Sequence, residues 1–461
     1  MYSNKIIKLQ SFFIYILPIC LVTGPFLPDL IVTLSSIFFL IISIKRRFFL
    51  YYKNIFFKIF IIFWLYITLN SIFAINPFLS LKSSLFFIRF GIFSILVYYL
   101  IDSNKDFLNK FSLTLFIIFS IVLLDSYLQY FTGSNIFGMI SPQSNRLSSF
   151  FGKELIVGSF LSRLFPLILA FGILMHDRGI KYLGLICIIF LILTDVIIFL
   201  SGERTSFGLL VIVNILYIIY VTKYKMLRIF AFTTSIIVIA FFVLNDEKVK
   251  ERMITQTTQD VLSNELYIKK TELGESTLMN LEKEFFEKNN RSSKSLKELE
   301  DLYLETQKTA SSKARIKAFS VVHESHFKTA LNMFFDKPIF GVGPNMFRHE
   351  CSKDKYASGD FNCTTHPHNI HIQVLAETGI IGYLIFLIPF LLIIKIFFKN
   401  LFKLKEKKST GDDYKMCLLI AFFITLFPLA PGGNFFNNWL SIVHFLPVGF
   451  FLHVQLKKNE Y

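Results

Sequence analysis

The segment GIIGYLIFLIPFLLIIKIFF, from Gly379 to Phe398, contains a single charged residue, Lys395, in an otherwise apolar run. A helix of about 20 apolar residues is long enough to cross the hydrocarbon core of a membrane. Because hydrocarbon offers no hydrogen-bond partners, a chain inside it must satisfy its backbone polar groups internally, which a helix does. The segment therefore predicts a transmembrane helix.

Segments of the same kind fill most of the chain, which is 54% hydrophobic, contains 57 Phe and has a mean hydropathy of +0.56. Together with the first segment they lie at about 9–24, 28–45, 55–74, 83–101, 108–130, 156–175, 182–200, 206–222, 228–245, 379–398, 415–430 and 437–454. We therefore predict an all-α polytopic membrane protein with about 12 transmembrane helices.

Lys and Arg are concentrated in the connections that follow every second predicted helix, for example at 45–47, 223–228 and 399–408. Such connections face the cytoplasm, so both chain ends are predicted to be cytoplasmic. The long block at 246–360 has as many acidic as basic residues and lies outside. The net charge of +16 is thus a topology signal, and we expect no nucleic-acid partner.

We divide the chain into helices 1–9 at residues 1–245, an outer block at 246–378, and helices 10–12 with a cytoplasmic tail at 379–461. The outer block is predicted to be mainly helical. Its residues 260–310 are charged and helix-prone, which indicates an inserted helical hairpin, whereas 311–378 is a candidate catalytic segment. An amphipathic helix is expected there up to about Phe335.

Three histidines, His366, His368 and His371, precede the apolar segment. Pro367 suits the first turn of a helix, so we expect a helix from about His366 to Ala376. A helix N-terminus attracts anions and disfavours an imidazolium, which suits a neutral histidine acting as a base.

Two other interpretations of these histidines stay open. His368 and His371 are three residues apart, as are His323 and His326, and could share a helical face for a metal ion. However, neither pair forms H-E-x-x-H and the run has no acidic ligand. The histidines could also be interfacial polar residues without chemistry. We expect no metal and no cofactor.

Arginines in outer connections are the second chemical signal. Arg204 lies in the break SGERTS between two apolar segments, where a guanidinium requires an anionic partner and suits phosphate oxygens. The alternative is pairing with Glu203 or ordinary outward snorkelling. Arg146, Arg315 and Arg348 are further candidates, although each could be an ordinary surface residue.

Cys351 and Cys363 both lie in the outer block, whereas the other cysteines lie in apolar segments. On the oxidising side of the membrane these two can form a disulfide, and the alternative is a pair of unpaired thiols.

The stretch FFDKPIFGVGPNMFR, at 334–348, followed by HPHNIHIQVLAETGIIG, at 366–382, resembles the O-antigen ligase and polymerase superfamily of bacterial envelope proteins. The family pattern is His, then Asn, Ser or Gln, nine residues, and Gly-x-x-small. Here His368-Asn369 precede nine residues and then Gly379 and Gly382. Together with Gly341 and Gly343, these two glycines are assigned structural roles.

The resemblance implies an inner-membrane enzyme that needs no metal and takes a glycan from undecaprenyl diphosphate on the periplasmic face. A ligase would transfer this glycan to lipid A–core. His368 matches the essential histidine, Arg204 resembles the arginine of a short outer loop, and Arg315 resembles a second essential arginine. As candidate substrate-binding residues we assign Arg146, Asn369, Gln373, Glu377 and Arg348.

Two alternative functions remain. A polymerase of the same superfamily would extend a lipid-linked glycan, and such proteins more often have two substantial outer loops. Here the loop at 131–155 is modest and 246–378 dominates, which favours a ligase. A secondary transporter would have broken helices in repeated halves with binding groups near the midplane. The sequence shows no internal repeat, and its polar residues cluster at the outer face.

Overall fold

The computed structural model describes residues 2–179, 183–261, 319–359, 361–403 and 411–457. Within these ranges every regular element is helical, and one isolated backbone bridge joins Ser134 to Ile140. The prediction of an all-α polytopic membrane protein is confirmed.

Seventeen α-helices can be assigned in the described residues. They are α1 (Tyr2–Val22), α2 (Phe26–Arg46), α3 (Ile55–Ile72), α4 (Pro77–Ser84), α5 (Ile88–Ser103), α6 (Phe107–Thr132), α7 (Val157–Asp177), α8 (Leu183–Leu200), α9 (Arg204–Tyr220), α10 (Lys225–Asn245), α11 (Glu247–Lys250), α12 (Gln256–Val261), α13 (Val321–Asp336), α14 (Phe347–Glu350), α15 (Ile370–Lys403), α16 (Gly411–Thr425) and α17 (Asn438–Lys457).

Each predicted apolar segment coincides with one of these helices. Within the described ranges, nine helical spans are long and apolar enough to cross a membrane, with α4 and α5 forming one such span. Two shorter apolar helices lie at Ile188–Leu200 and Arg204–Tyr220. The predicted segment at 415–430 corresponds to α16, which ends at Thr425.

The membrane-spanning helices differ in how far they are enclosed by protein. Large side chains such as Phe73, Leu244 and Phe402 are mostly exposed, as expected of a surface that faces hydrocarbon. Helix α7 is the most enclosed span and packs against α16, α8 and α6. Helix α17 packs chiefly against α5. Arg163, in α7, is therefore surrounded by protein.

The described chain forms two compact units, residues 1–249 with 325–461, and residues 250–324. In the second unit a π-helical turn, Glu251–Thr255, leads into α12. The predicted insertion at 260–310 lies almost entirely outside the described residues. The first unit contains the membrane helices together with most of α13 and the segment that leads to α15.

Helix α15 is interrupted at Gly379, whose φ of 65° and ψ of −172° are not helical. The carbonyls of Ala376, Glu377 and Thr378 therefore need partners outside the helix. The backbone N–H of Val342 donates to Ala376 at 3.1 Å and that of Gly343 donates to Glu377 at 2.9 Å. The carbonyls that the break leaves unpaired therefore accept hydrogen bonds from another segment of the chain.

That segment, residues 338–343, is named the glycine loop. In return, the N–H of Ile380 donates to the Pro338 carbonyl at 2.8 Å. Helix α3 supplies two more donors, because Tyr66 Oη reaches the Thr378 carbonyl at 2.6 Å and Asn70 Nδ2 reaches the Phe340 carbonyl at 2.6 Å. The break in α15 is thus tied both to the outer segment and to a membrane helix.

The two backbones approach so closely that side chains are excluded. A Cβ at Gly341 would lie 2.5 Å from the carbonyl carbon of Glu377, and one at Gly379 would lie 2.2 Å from the carbonyl oxygen of Ile339. Both glycines also have positive φ. These contacts give a physical reason for glycine at 341 and 379.

Replacing Gly379 by Ala is expected to destabilise the fold by about 2–6 kcal/mol, because the new Cβ adds left-handed strain to overlap with a backbone atom. Thermal unfolding in detergent would measure the loss. Gly208→Ala is the matched control, since a Cβ there meets nothing within 4 Å and φ is not positive. Equal melting temperatures for the Gly379 variant and the wild type would contradict the assigned constraint.

Candidate active site

Three imidazole rings meet just before α15. The ring of His368 lies 4.2 Å from that of His366 and 5.2 Å from that of His326, measured between centroids. His326 comes from α13 and is buried, whereas His366 and His368 are half-buried. His326, which the sequence suggested only as half of a possible metal-binding pair, therefore lies next to His368, the candidate base.

The expected helix start near His366 is wrong, because α15 begins at Ile370. Asn369 caps the helix: its Oδ1 accepts the N–H groups of His371 at 3.0 Å and Ile372 at 3.1 Å. Asparagine is a preferred N-cap residue, and this capping outweighs the preference of Pro367 for a first turn. His368 lies ahead of the cap with φ of 56°, a left-handed conformation that is uncommon for residues other than glycine.

A second loop, residues 426–433, fixes the backbone around the histidines. Gly432 donates its N–H to the His368 carbonyl at 2.7 Å and accepts a hydrogen bond from His366 Nε2 at 3.1 Å. Asn369 Nδ2 donates to the Pro428 carbonyl at 2.6 Å. The left-handed conformation of His368 is thus held from both sides.

His371 forms its hydrogen bonds with residues other than the neighbouring histidines. Its Nε2 donates to the Leu426 carbonyl at 2.7 Å, and its Nδ1 lies 3.3 Å from Tyr383 Oη. Among the residues described, no three His, Cys, Asp or Glu side chains form a group that could hold a metal ion.

Gln373 and Glu377 project from α15 into a buried polar network. Glu377 accepts the N–H groups of Asn345 at 2.9 Å and Phe347 at 3.0 Å, and Gln373 donates to Glu377 at 3.2 Å and to Asn434 at 2.8 Å. Asn434 donates in turn to Asn345 at 3.1 Å. Both side chains are fully buried, so their bonds position the loops around the histidines.

Arg204 is the first residue of α9 and is half-buried. Beside it, Glu203 accepts the N–H groups of Gly158 at 2.6 Å and Ser159 at 2.9 Å, together with the Ser206 hydroxyl at 2.9 Å. Burial raises the pKa of the Glu203 carboxyl, although these hydrogen bonds oppose the shift. Glu203 therefore joins the starts of α7 and α9, and Arg204 is placed at that junction.

Arg146 lies on the loop before α7 and donates from Nη2 to the Leu155 carbonyl at 3.0 Å. Burial lowers the pKa of its guanidinium, and the Glu203 carboxylate partly reverses this. Arg204 is also close enough to act on it electrostatically. The structure therefore brings two of the predicted arginines together.

The other predicted residues have different surroundings. Arg348 is exposed on α14, near enough to Glu377 to interact electrostatically. Cys351 and Cys363 are joined by a disulfide, with their Cα atoms 4.8 Å apart. Arg315 lies outside the described residues.

The sequence analysis assigned no role to Arg163. It is the one arginine within the apolar segment predicted at 156–175, and it is buried in α7. An ionisable side chain inside a membrane-spanning segment is by itself a sign of function. That sign was available in the sequence but was hidden by the apolar residues around it.

Two neighbouring cavities flank the 426–433 loop. One is lined by Arg163 and His444 together with Thr425, Gly432 and Gly433. The other has walls mainly of Phe and Ile from α3, α15, α16 and α17. Because Thr425 and His444 line both, the cavity that contains Arg163 adjoins the apolar one.

Residues 185–387 match the family model of the O-antigen ligases. The match covers just under half of the chain and includes Arg204, Arg315 and His368. It confirms the resemblance to the O-antigen ligase superfamily that the sequence predicted. No curated protein matches the chain.

The family match and the apolar helices support a multi-pass inner-membrane protein and a membrane glycosyltransferase of the O-antigen ligase and polymerase type. For this family the substrates are, in general, a lipid-linked glycan and an acceptor of the lipid A–core type.

Proposed function

We propose that the protein transfers a glycan from undecaprenyl diphosphate to a sugar hydroxyl of lipid A–core at the periplasmic face of the inner membrane. The reaction is a single displacement at the anomeric carbon, which inverts its configuration. No nucleotide is needed, because cleavage of the glycosyl–diphosphate bond supplies the driving force. The proposal also includes no metal ion.

The observation that carries this proposal is the placement of His368. A sugar hydroxyl is a weak nucleophile and needs a base within hydrogen-bond reach as it attacks. His368 is half-buried, and its backbone conformation is fixed by Gly432 and the Asn369 cap. It also stands at the position where the family pattern has its histidine. His368 would accept the proton of the acceptor hydroxyl.

The leaving group requires positive charge. As the bond between the anomeric carbon and the diphosphate oxygen breaks, its electron pair passes to that oxygen. Arg204, with Arg146 beside it, would stabilise this charge, because a guanidinium binds phosphate oxygens through paired hydrogen bonds. Arg315 is proposed as a further contact on the strength of the resemblance alone.

The carrier lipid needs an apolar site next to these polar groups. The apolar cavity between α3, α15, α16 and α17 offers walls of Phe56, Phe60, Phe63 and Phe386, which suit a polyprenyl chain. The diphosphate would then lie towards the loop that carries Gly432. The basic connections at the other ends of the helices support placing this site on the periplasmic side.

His368→Ala is expected to reduce glycan transfer by about 10²- to 10⁴-fold, the usual contribution of a general base. The rate is measured with lipid-linked donor and lipid A–core in reconstituted membranes. His349→Ala, an exposed histidine one helix away in the chain, is the control. Transfer at the wild-type rate by His368→Ala would refute the assignment, and loss of wild-type activity in EDTA that zinc restores would favour a metal site instead.

Arg204→Lys is expected to slow transfer by about tenfold or more, because lysine keeps the charge but loses the planar fork that binds two phosphate oxygens. The same reconstituted assay measures it. Arg46→Lys, at an exposed helix end, is the matched control and should have no effect. Normal turnover by the Arg204 variant would remove this residue from the diphosphate site.

Deleting the gene separates the ligase from the polymerase of the same superfamily. Loss of a ligase leaves lipid A–core without attached polymer, whereas loss of a polymerase leaves single repeat units attached to the core. Glycan analysis of the deletion strain by gel electrophoresis and mass spectrometry gives the answer. We expect unsubstituted lipid A–core, and single repeats on the core would overturn the ligase in favour of the polymerase.

A further inference from the structure

Arg163 is a charged residue in an environment that disfavours charge. It lies on α7, the most enclosed of the membrane-spanning helices, and only 8% of its surface is exposed. Moving a guanidinium from water into such a site is costly unless an anion and hydrogen bonds compensate. The groups around Arg163 therefore indicate what this site is built to hold.

Protein atoms accept only some of the hydrogen bonds that this guanidinium can donate. Its Nη1 donates to the hydroxyl and the carbonyl of Ser159, one turn earlier on the same helix. Its Nε is buried and has no hydrogen-bond partner within the described part of the chain. A buried donor without a partner indicates that an acceptor is to be supplied from elsewhere.

Glu203 is close enough to act on Arg163 electrostatically, but its hydrogen-bonding capacity is directed elsewhere. Its two oxygens accept from the starts of α7 and α9. The same carboxylate also acts electrostatically on Arg146. The single negative charge of Glu203 therefore acts on two positive charges, those of Arg163 and Arg146. The remaining positive charge favours an anionic ligand.

The cavity beside Arg163 gives that ligand a place. Arg163 and His444 line it from α7 and α17, and Gly432 and Gly433 form part of its wall. Gly432 is also hydrogen-bonded to His366 and His368. The anion site and the candidate base are therefore connected by a single loop.

The same cavity adjoins the apolar one, with Thr425 and His444 common to both. A ligand that fits this pair is an anionic group attached to a long apolar chain. A free phosphate would leave the apolar cavity without a role, and a neutral lipid would leave Arg163 without an anion.

We propose that Arg163, assisted by His444, binds the phosphate of the polyprenyl carrier, with the polyprenyl chain in the adjoining apolar cavity. This inference rests on the proposed function, because it assigns the donor of that reaction to these two cavities. Arg163 contacts the phosphate nearest the lipid, whereas Arg204 and Arg146 serve the phosphate attached to the sugar. Arg163 is thus a donor-binding residue and takes no part in moving the proton.

The test measures binding of a polyprenyl phosphate to purified full-length protein in detergent, with phosphatidylglycerol and inorganic phosphate as comparison ligands. Arg163→Gln is expected to weaken polyprenyl phosphate binding by about 10- to 100-fold, the usual value for a hydrogen-bonded charge. Arg46→Gln removes a guanidinium at an exposed helix end away from this site and is the matched control, which should bind within a few-fold of wild type.

In the transfer assay, Arg163→Lys should raise the KM for the donor and leave the KM for the acceptor unchanged. His444→Phe preserves the packing of α17 and should also weaken binding, so the proposal stays testable if the Arg163 variants do not fold. Wild-type affinity in Arg163→Gln would overturn it, as would equal binding of phosphatidylglycerol or inorganic phosphate by the wild type. Arg163-dependent binding without any glycan transfer would refute the proposed function and leave this site standing.

Discussion

The break in α15 at Gly379 is the constraint on which the candidate site depends. A helix entering hydrocarbon cannot leave carbonyls unpaired, so the three freed at Ala376, Glu377 and Thr378 must find donors. Val342 and Gly343 of the glycine loop and Tyr66 of α3 supply them. The arrangement requires backbones to touch, which excludes side chains at Gly341 and Gly379. A local interruption thereby docks the outer segment against the membrane helices.

From this docking the polar network follows. Once the glycine loop is fixed, Asn345 and Phe347 present their N–H groups to Glu377, and Gln373 extends the network to Asn434 in the 426–437 connection. That connection then holds the backbone of His368 through Gly432. The precision of the histidine's position therefore derives from buried hydrogen bonds that a substrate need not touch. The side chains of Glu377, Gln373, Asn434 and Asn345 are all hydrogen-bonded, and paired buried polar groups make a structure rigid.

The sequence predicted the membrane helices well because apolar run length is a local property. All predicted segments coincide with helices. Local signals were insufficient where two of them competed, as for Pro367 and Asn369 at the helix start. They carried no information on the approach of His326 to His368, which depends on how α13 packs. Arg163 is different: its charge within an apolar segment was visible, but only the cavity beside it reveals what that charge can bind.

The geometry of the three imidazoles bears on how a base would operate here. Rings whose centroids lie 4.2 and 5.2 Å apart cannot all carry positive charge without strong mutual repulsion. A neutral imidazole is the form that accepts a proton from a hydroxyl. In the proposed site, the groups suited to an anion are the arginines at the α7–α9 junction, and those suited to a proton are the imidazoles just before α15.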